Sequence, residues 1–269
     1  MASIQRVDAP ADPRLADYRS ARDPAWRRRT GLFLAESALV VRRLLAESRF
    51  RTRSILATEP IVAGLQDVLE RAPADLVVHV AGHAVQREVM GFNFHRGCLA
   101  LAERGPDLDA AALLAPDRPL LLVLEDVADP DNVGALFRNG RAFGVAGVLL
   151  SPGTGDPLYP KAIRVSVGAT LSVPHARLPQ WPADLDRLRS AGYAVVALTP
   201  GAGAAVEALG TAGERLALLV GSEGRGLSDG ALALADRAVR IPMAPGVDSL
   251  NVAVAAGIAL YHVRRVAIS

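Results

Sequence analysis

Cysteine is almost missing from this chain. Cys98 is the single one among 269 residues, which excludes an intrachain disulfide and any zinc site built from cysteines. Lysine is as scarce, since every basic residue except Lys161 is an arginine. No apolar run approaches the roughly 20 residues that a membrane-spanning helix needs. The first thirty residues carry charges and prolines rather than the apolar core of a signal peptide. There is no internal repeat, and no low-complexity tract beyond a general alanine bias. What remains is a chain that is 51% hydrophobic and 22% charged, as globular proteins are. The expectation is a cytoplasmic protein with no membrane association, long enough for one large or two ordinary domains.

The net charge of +2 hides an asymmetry. Residues 1–104 hold 16 Lys and Arg against 12 Asp and Glu, and residues 105–269 hold 14 against 16. The excess near the start includes Arg19, Arg22, Arg27, Arg28, Arg29, Arg42, Arg43, Arg49, Arg51 and Arg53. Arginine pairs bidentately with phosphate and stacks on bases, so RNA is a candidate partner for the front of the chain. Charge alone favours the plainer reading, a solvated, arginine-biased surface.

Periodicity predicts two alternating series. The first has strands at 32–35, 54–58, 76–80 and 98–102, with helices at 13–19, 37–47, 61–71 and 84–90. These make a small α/β domain over residues 1–104, followed by a linker over 105–117. The second, residues 118–269, has strands at 120–125, 147–150, 194–198, 216–220 and 238–241. Helices are expected at 132–143, 160–168, 183–191, 229–236 and 250–263. The result is an α/β fold with an open, mostly parallel sheet, in which ligands bind beyond the carboxyl ends of the strands. The loops 126–132, 199–206, 221–228 and 242–250 are therefore the places to look.

Three of these loops carry unusual residues. In the first, Asp129 and Pro130 make a turn, Asp131 or Asn132 caps a helix, and Arg138 follows one and a half turns on. In the second, Gly221–Ser228 places three glycines around Ser222 and Glu223. It matches neither a phosphate loop nor a dinucleotide fingerprint. In the third, Pro245 and Gly246 bend the chain, Ser249 stands at the expected N-cap, and Asn251 is the polar exception in an apolar helix. A buried carboxamide needs partners, which protein or ligand could supply. His79 and His83 have i,i+4 spacing but straddle a strand end with no third ligand, so no metal is expected.

Taken together, the three loops resemble the motifs of the SpoU-type (TrmH-like) RNA 2′-O-ribose methyltransferases of the SPOUT class. Asp129, Pro130, Asn132, Gly134, Arg138 and Ala142–Gly144 match the first motif. Gly221, Glu223, Gly226, Leu227 and Ser228 match the second. Ile241–Met243 and Ser249–Val252 match the third. The departures are Ala253, where the family often has Ser, and Gly140 and Arg141 ahead of Ala142–Gly144.

The resemblance covers residues 119–263 well. It reaches residues 14–104 more loosely, where the family often carries an RNA-binding domain resembling small ribosomal proteins. It implies a trefoil knot in the last third of the chain, S-adenosylmethionine as cofactor and a homodimer. Carried over residue by residue, Thr199, Gly221, Ser222, Ile241, Met243 and Leu250 would hold the cofactor. Asn132, Arg138, Glu223, Ser249 and Asn251 would serve the chemistry, and Arg27, Arg28, Arg29 and Arg138 would bind RNA, ribosomal RNA in preference to tRNA. A guanidinium is effectively never deprotonated, so Arg138 is expected to hold a phosphate and stabilise charge on the 2′-oxygen, with Glu223 orienting it or relaying the proton. Two other readings stay open: an RNA-binding protein without turnover, and a nucleotide-binding oxidoreductase that would use Gly201 and Gly203.

Overall fold

The computed structural model describes residues 2–91, 96–115, 117–209 and 214–268. Contacts divide the chain into two units, Met1–Pro106 with Leu158–Ser172, and Asp107–Pro157 with Val173–Ser269.

In the first unit, β1 (Ser3–Arg6), β2 (Leu32–Glu36), β3 (Thr52–Ala57), β4 (Val77–Val80) and β5 (Cys98–Glu103) form one sheet in the order β1-β4-β3-β5-β2. β1, β4 and β3 run parallel, while β5 is antiparallel to both β3 and β2. Strand side chains alternate between faces, and both faces here are apolar. Phe33, Ile55 and Ala100 join one core cluster, whereas Leu34, Leu56 and Leu101 join another with Tyr18 and Trp26. The helix Ala38–Glu47 covers the first face, capped by the Ser37 hydroxyl.

Two elements here escape the sequence reading. β1 has one apolar residue and lies at an edge, so no alternation marks it. The helix Pro24–Thr30 buries only Trp26. Its signature lies at its ends, where the Asp23 side chain accepts from the Ala25 amide and Gly31 takes the left-handed conformation at φ 66°. The helix expected at 61–71 is two pieces, Glu59–Gly64 and Gln66–Leu69. Leu158–Ser172, expected in the second domain, belongs to the first unit, where Leu158, Ile163 and Leu171 join the cluster of Phe33.

The second unit is built on β6 (Leu120–Glu125), β7 (Gly147–Leu150), β8 (His175–Arg177), β9 (Ala194–Leu198), β10 (Ala204–Ala205), β11 (Leu216–Gly221) and β12 (Arg237–Arg240). They form a seven-stranded sheet in the order β10-β12-β9-β11-β6-β7-β8, and every pairing is parallel. β6 is buried along its whole length, as expected of a strand covered on both faces. The expected sheet lacks β8 and β10, which are three and two residues long and too short to show a period.

The stretch expected to be a linker is packed instead. Leu108 bridges to Ala176, and Ala110 and Leu113 join the core of this sheet. The closing helix is Val252–Ile268. It buries Val252, Ala253, Ala256, Ala259 and Leu260, while Val254, Ile258 and Tyr261 stand exposed, so this apolar helix is buried on one side only. Among the described residues no helix is long and apolar enough to cross a membrane.

Candidate functional site

The strand order decides where a site can form. From β6 the chain winds outward through β7 and β8, then returns to the other side of β6 for the remaining strands. Such a reversal leaves a crevice at the carboxyl end of the central strands. The loops after β9, β11 and β12 line a cavity there. Its wall includes Thr199, Gly221, Ser222, Ile241, Met243 and Leu250. All six residues expected to hold a cofactor therefore face one space, together with apolar Leu198, Val220 and Leu227.

The shape of the wall depends on glycine. A Cβ on Gly221 would lie 2.3 Å from the carbonyl carbon and oxygen of Gly226, because the loop folds back on itself. The Gly226 amide donates to the Ser222 carbonyl oxygen at 2.8 Å, and Gly226 sits at φ 67°, where a side chain is strained.

The three motifs meet at Asn251. Its Nδ2 donates to Asn132 Oδ1 at 2.9 Å and to Glu223 Oε1 at 2.6 Å. Its Oδ1 accepts from the amides of Ala253 and Val254 at 3.0 and 3.2 Å. Asn251, not Ser249, is thus the cap of the closing helix, and it is exposed rather than buried. Its amide hydrogens are used to fix two other side chains. Asn132 is 7% exposed, in the first turn of the helix Pro130–Ala142, whose N-cap is Asp129. That helix packs on the closing helix, where Asn139 Nδ2 donates to the Ala253 carbonyl at 2.6 Å. Gly257 supports the approach, since a Cβ there would lie 3.1 Å from Asn139 Nδ2.

The other expected residues divide. Ser249 is exposed and lines the cavity beside Glu223. Arg138 is exposed and, among the described residues, makes no hydrogen bond or ion pair. Glu223 therefore holds Asn251 and does not orient Arg138. In the first unit Arg27 is only half exposed. It donates to the carbonyls of Ala21 and Arg22 at 3.1 and 2.8 Å and lies 5.3 Å from the Tyr159 ring centroid. Its guanidinium is committed to the protein, whereas Arg28 and Arg29 are exposed and, among the described residues, without such partners.

Glu125 escapes the sequence reading altogether. It ends β6, is 3% exposed, and accepts from the Ser228 amide and hydroxyl and from the Trp181 indole. An acid placed within the apolar strand, as its last residue, was the available signal. Neither Cys98 nor the histidines add a site. Burial pushes the Cys98 thiol up to about 12. His79 is buried in β4 and His83 is exposed at the start of the next helix. Burial also lowers the pKa of His79. The described residues hold no group of three His, Cys, Asp or Glu that could bind a metal.

The chain is similar to proteins already known. A Mycobacterium bovis protein named an uncharacterized tRNA/rRNA methyltransferase is 42% identical over 266 residues, covering 96% of this chain and 91% of its own. The 23S rRNA (guanosine-2′-O-)-methyltransferase RlmB of Coxiella burnetii is 32% identical over 206 residues, 75% of this chain and 82% of its own. Among solved structures, an AdoMet-bound rRNA methyltransferase from Sinorhizobium meliloti superposes with a TM-score of 0.81 at 25% identity, covering 97% of this chain and 98% of that one. The model of the SpoU rRNA Methylase family matches residues 119–261, a span that includes every residue of the cavity and of the Asn251 junction, and the chain belongs to that family.

Proposed function

We propose that this protein transfers a methyl group from S-adenosylmethionine to a ribose 2′-hydroxyl of RNA, and of ribosomal RNA rather than tRNA. The observation that carries the reading is the Asn251 junction, which ties Asn132 and Glu223 together beside a cavity walled by Gly221, Ile241 and Leu250. The similarity to a 23S rRNA ribose methyltransferase over most of the chain supports the choice of RNA and of hydroxyl.

The cavity fits the cofactor's chemistry. Its apolar residues suit a nucleoside, Thr199 and Ser222 offer hydroxyls, and the bare Gly221 permits close approach of backbone to ligand. S-adenosylmethionine supplies an electrophilic methyl group on a good leaving group, so the protein has to place the hydroxyl and help remove its proton. Asn132, held through its Oδ1, keeps its amide as a donor for the nucleotide. Ser249, at the cavity wall, orients the ribose. Glu223, anchored through one oxygen, accepts or relays the 2′-proton. Arg138, with no partner to give up among the described residues, holds a substrate phosphate and stabilises negative charge on the 2′-oxygen.

Other parts of the reading follow. The apolar stripe of Val254, Ile258 and Tyr261 supports a homodimer joined through the closing helix. We assign RNA docking to the first unit, through Arg28 and Arg29, in a domain resembling small ribosomal proteins. We also propose that the segment carrying the third motif is threaded as a trefoil knot, and that the protein works in the cytoplasm.

The test is methyl transfer from labelled S-adenosylmethionine to purified ribosomal RNA and, separately, to tRNA, by wild type and Asn132→Ala. The expected product is label in alkali-resistant dinucleotides from ribosomal RNA only, lost in the mutant. Cofactor binding without transfer to either RNA would favour an RNA-binding protein without turnover.

A further inference from the structure

We propose that Glu125 is a positioning residue that staples the cofactor loop shut and thereby sets cofactor affinity. The inference rests on the methyltransferase reading. In the register of β6 and β11, Glu125 lies directly opposite Gly221, where the loop begins. Its side chain reaches Ser228, where the loop ends: Oε2 accepts from the Ser228 amide at 2.9 Å and Oε1 from the Ser228 hydroxyl at 2.6 Å. One residue holds both ends of the loop, by backbone on one side and by carboxylate on the other. Between those ends Ser222, Glu223, Gly226 and Leu227 line the cavity.

The carboxylate is matched to its surroundings. A third donor, the Trp181 indole, reaches Oε1 at 2.6 Å. Three donors converge on a group that only accepts and is itself 3% exposed, so each bond carries more weight than between exposed groups. Ser228 passes the constraint onward, because its Oγ also accepts from the Ala231 amide at 3.2 Å and caps the helix Asp229–Leu234.

The next residue, Asp126, works in the opposite direction across the sheet. Ser151 Oγ donates to Asp126 Oδ1 at 2.7 Å, and the Asp126 amide donates back to Ser151 Oγ at 2.9 Å. Consecutive acids at the end of β6 thus brace the first-motif loop against the segment after β7 and the cofactor loop against β6. Only Glu125 touches the cofactor loop, so only Glu125 acts on the cofactor.

Glutamine at position 125 preserves shape but must turn an N–H against one of three donors or leave it unpaired. The test is calorimetric titration of the full-length protein with S-adenosylhomocysteine, alongside melting without ligand. Glu125→Gln is expected to raise Kd at least tenfold, Ser228→Ala to raise it several-fold, and Asp126→Asn to leave it within twofold. KM for RNA in Glu125→Gln should stay near wild type while KM for S-adenosylmethionine rises. Trp181 supplies a spectroscopic signature, since Trp26 is the only other tryptophan. Ligand should change the emission of wild type, and Trp181→Phe should abolish that change. Wild-type affinity in Glu125→Gln would overturn the staple while leaving the enzyme reading intact. If Glu125→Gln does not fold, wild-type affinity in Ser228→Ala does the same. Failure of wild type itself to bind S-adenosylhomocysteine would overturn both.

Discussion

The two ends of the seven-stranded sheet are held together by different chemistry. At the amino ends of the strands, arginines stitch the layers. Arg118 donates to the Ala146 carbonyl at 2.7 Å, and Arg215 donates to the carbonyls of Leu114 and Ala115, both at 2.9 Å, while stacking 4.1 Å from the Tyr193 ring centroid. Arg189 pairs with Asp236 and Arg237 with Glu214. At the carboxyl ends Arg177 closes β8 by donating to the carbonyls of Ser151 and Thr154 at 3.2 and 3.1 Å, but around the cavity the fixed contacts are carboxamide to carboxamide, hydroxyl to carboxylate and glycine backbone to backbone. Arg138 is left without a protein partner among the described residues. A guanidinium already engaged by the protein must break those bonds before it can hold a phosphate. One end has engaged its cations for stability, and the other has kept one available for a ligand.

The largest effect should come from breaking the close approach at the ligand end. In Gly221→Ala the new methyl would overlap the Gly226 backbone, which cannot rotate away as a side chain could. The loop must open, and the cavity wall with it. The expected outcome is loss of S-adenosylhomocysteine binding by 100-fold or more, read by calorimetry, and destabilisation of about 1–3 kcal/mol, as for other overpacked sites. Arg138→Lys comes next. It keeps the charge but loses the planar fork that grips a phosphate. Activity should fall at least 30-fold in a methyl-transfer assay, with cofactor affinity and melting temperature unchanged, because the side chain makes no hydrogen bond or ion pair among the described residues. Full activity in this variant would mean that charge alone suffices.

How much of this was legible in advance differs between the same two ends. At the ligand end the functional residues cluster in short motifs, so the resemblance those motifs carry gathered Thr199, Gly221, Ser222, Ile241, Met243 and Leu250, and the structure lines one cavity with them. Finer detail was not local. Ser249 and Asn251 are both good caps two residues apart, and the loop backbone, not propensity, selects Asn251. Glu223 looked free to orient Arg138 until Asn251 was seen to occupy it. Arg27 reads as an exposed cation because its partner Tyr159 lies far along the chain. The buried strands β6, β7 and β9 declared themselves as apolar runs, whereas β1, β8 and β10 are edge or near-edge strands with little to bury. The stitched end was illegible, since Arg215 acts on carbonyl oxygens that any sequence would supply.

That end therefore yields the smaller predictions, and they sharpen the contrast. Arg215→Leu removes donors from the carbonyls of Leu114, Ala115 and Ala191 in a partly buried setting. It should cost about 2–3 kcal/mol in denaturant unfolding, from unpaired acceptors and lost packing on Tyr193. Arg237→Ala breaks a single ion pair whose arginine is 39% exposed. It should change stability by no more than about 0.5 kcal/mol, because solvent screens such pairs and ordering two side chains offsets their attraction. Neither variant should alter methyl transfer per folded molecule, since no residue of the stitched end lines the cavity. A fall in kcat for Arg215→Leu, at temperatures where the variant is fully folded, would show that the two ends are mechanically coupled. The division of labour between them would then have to be abandoned.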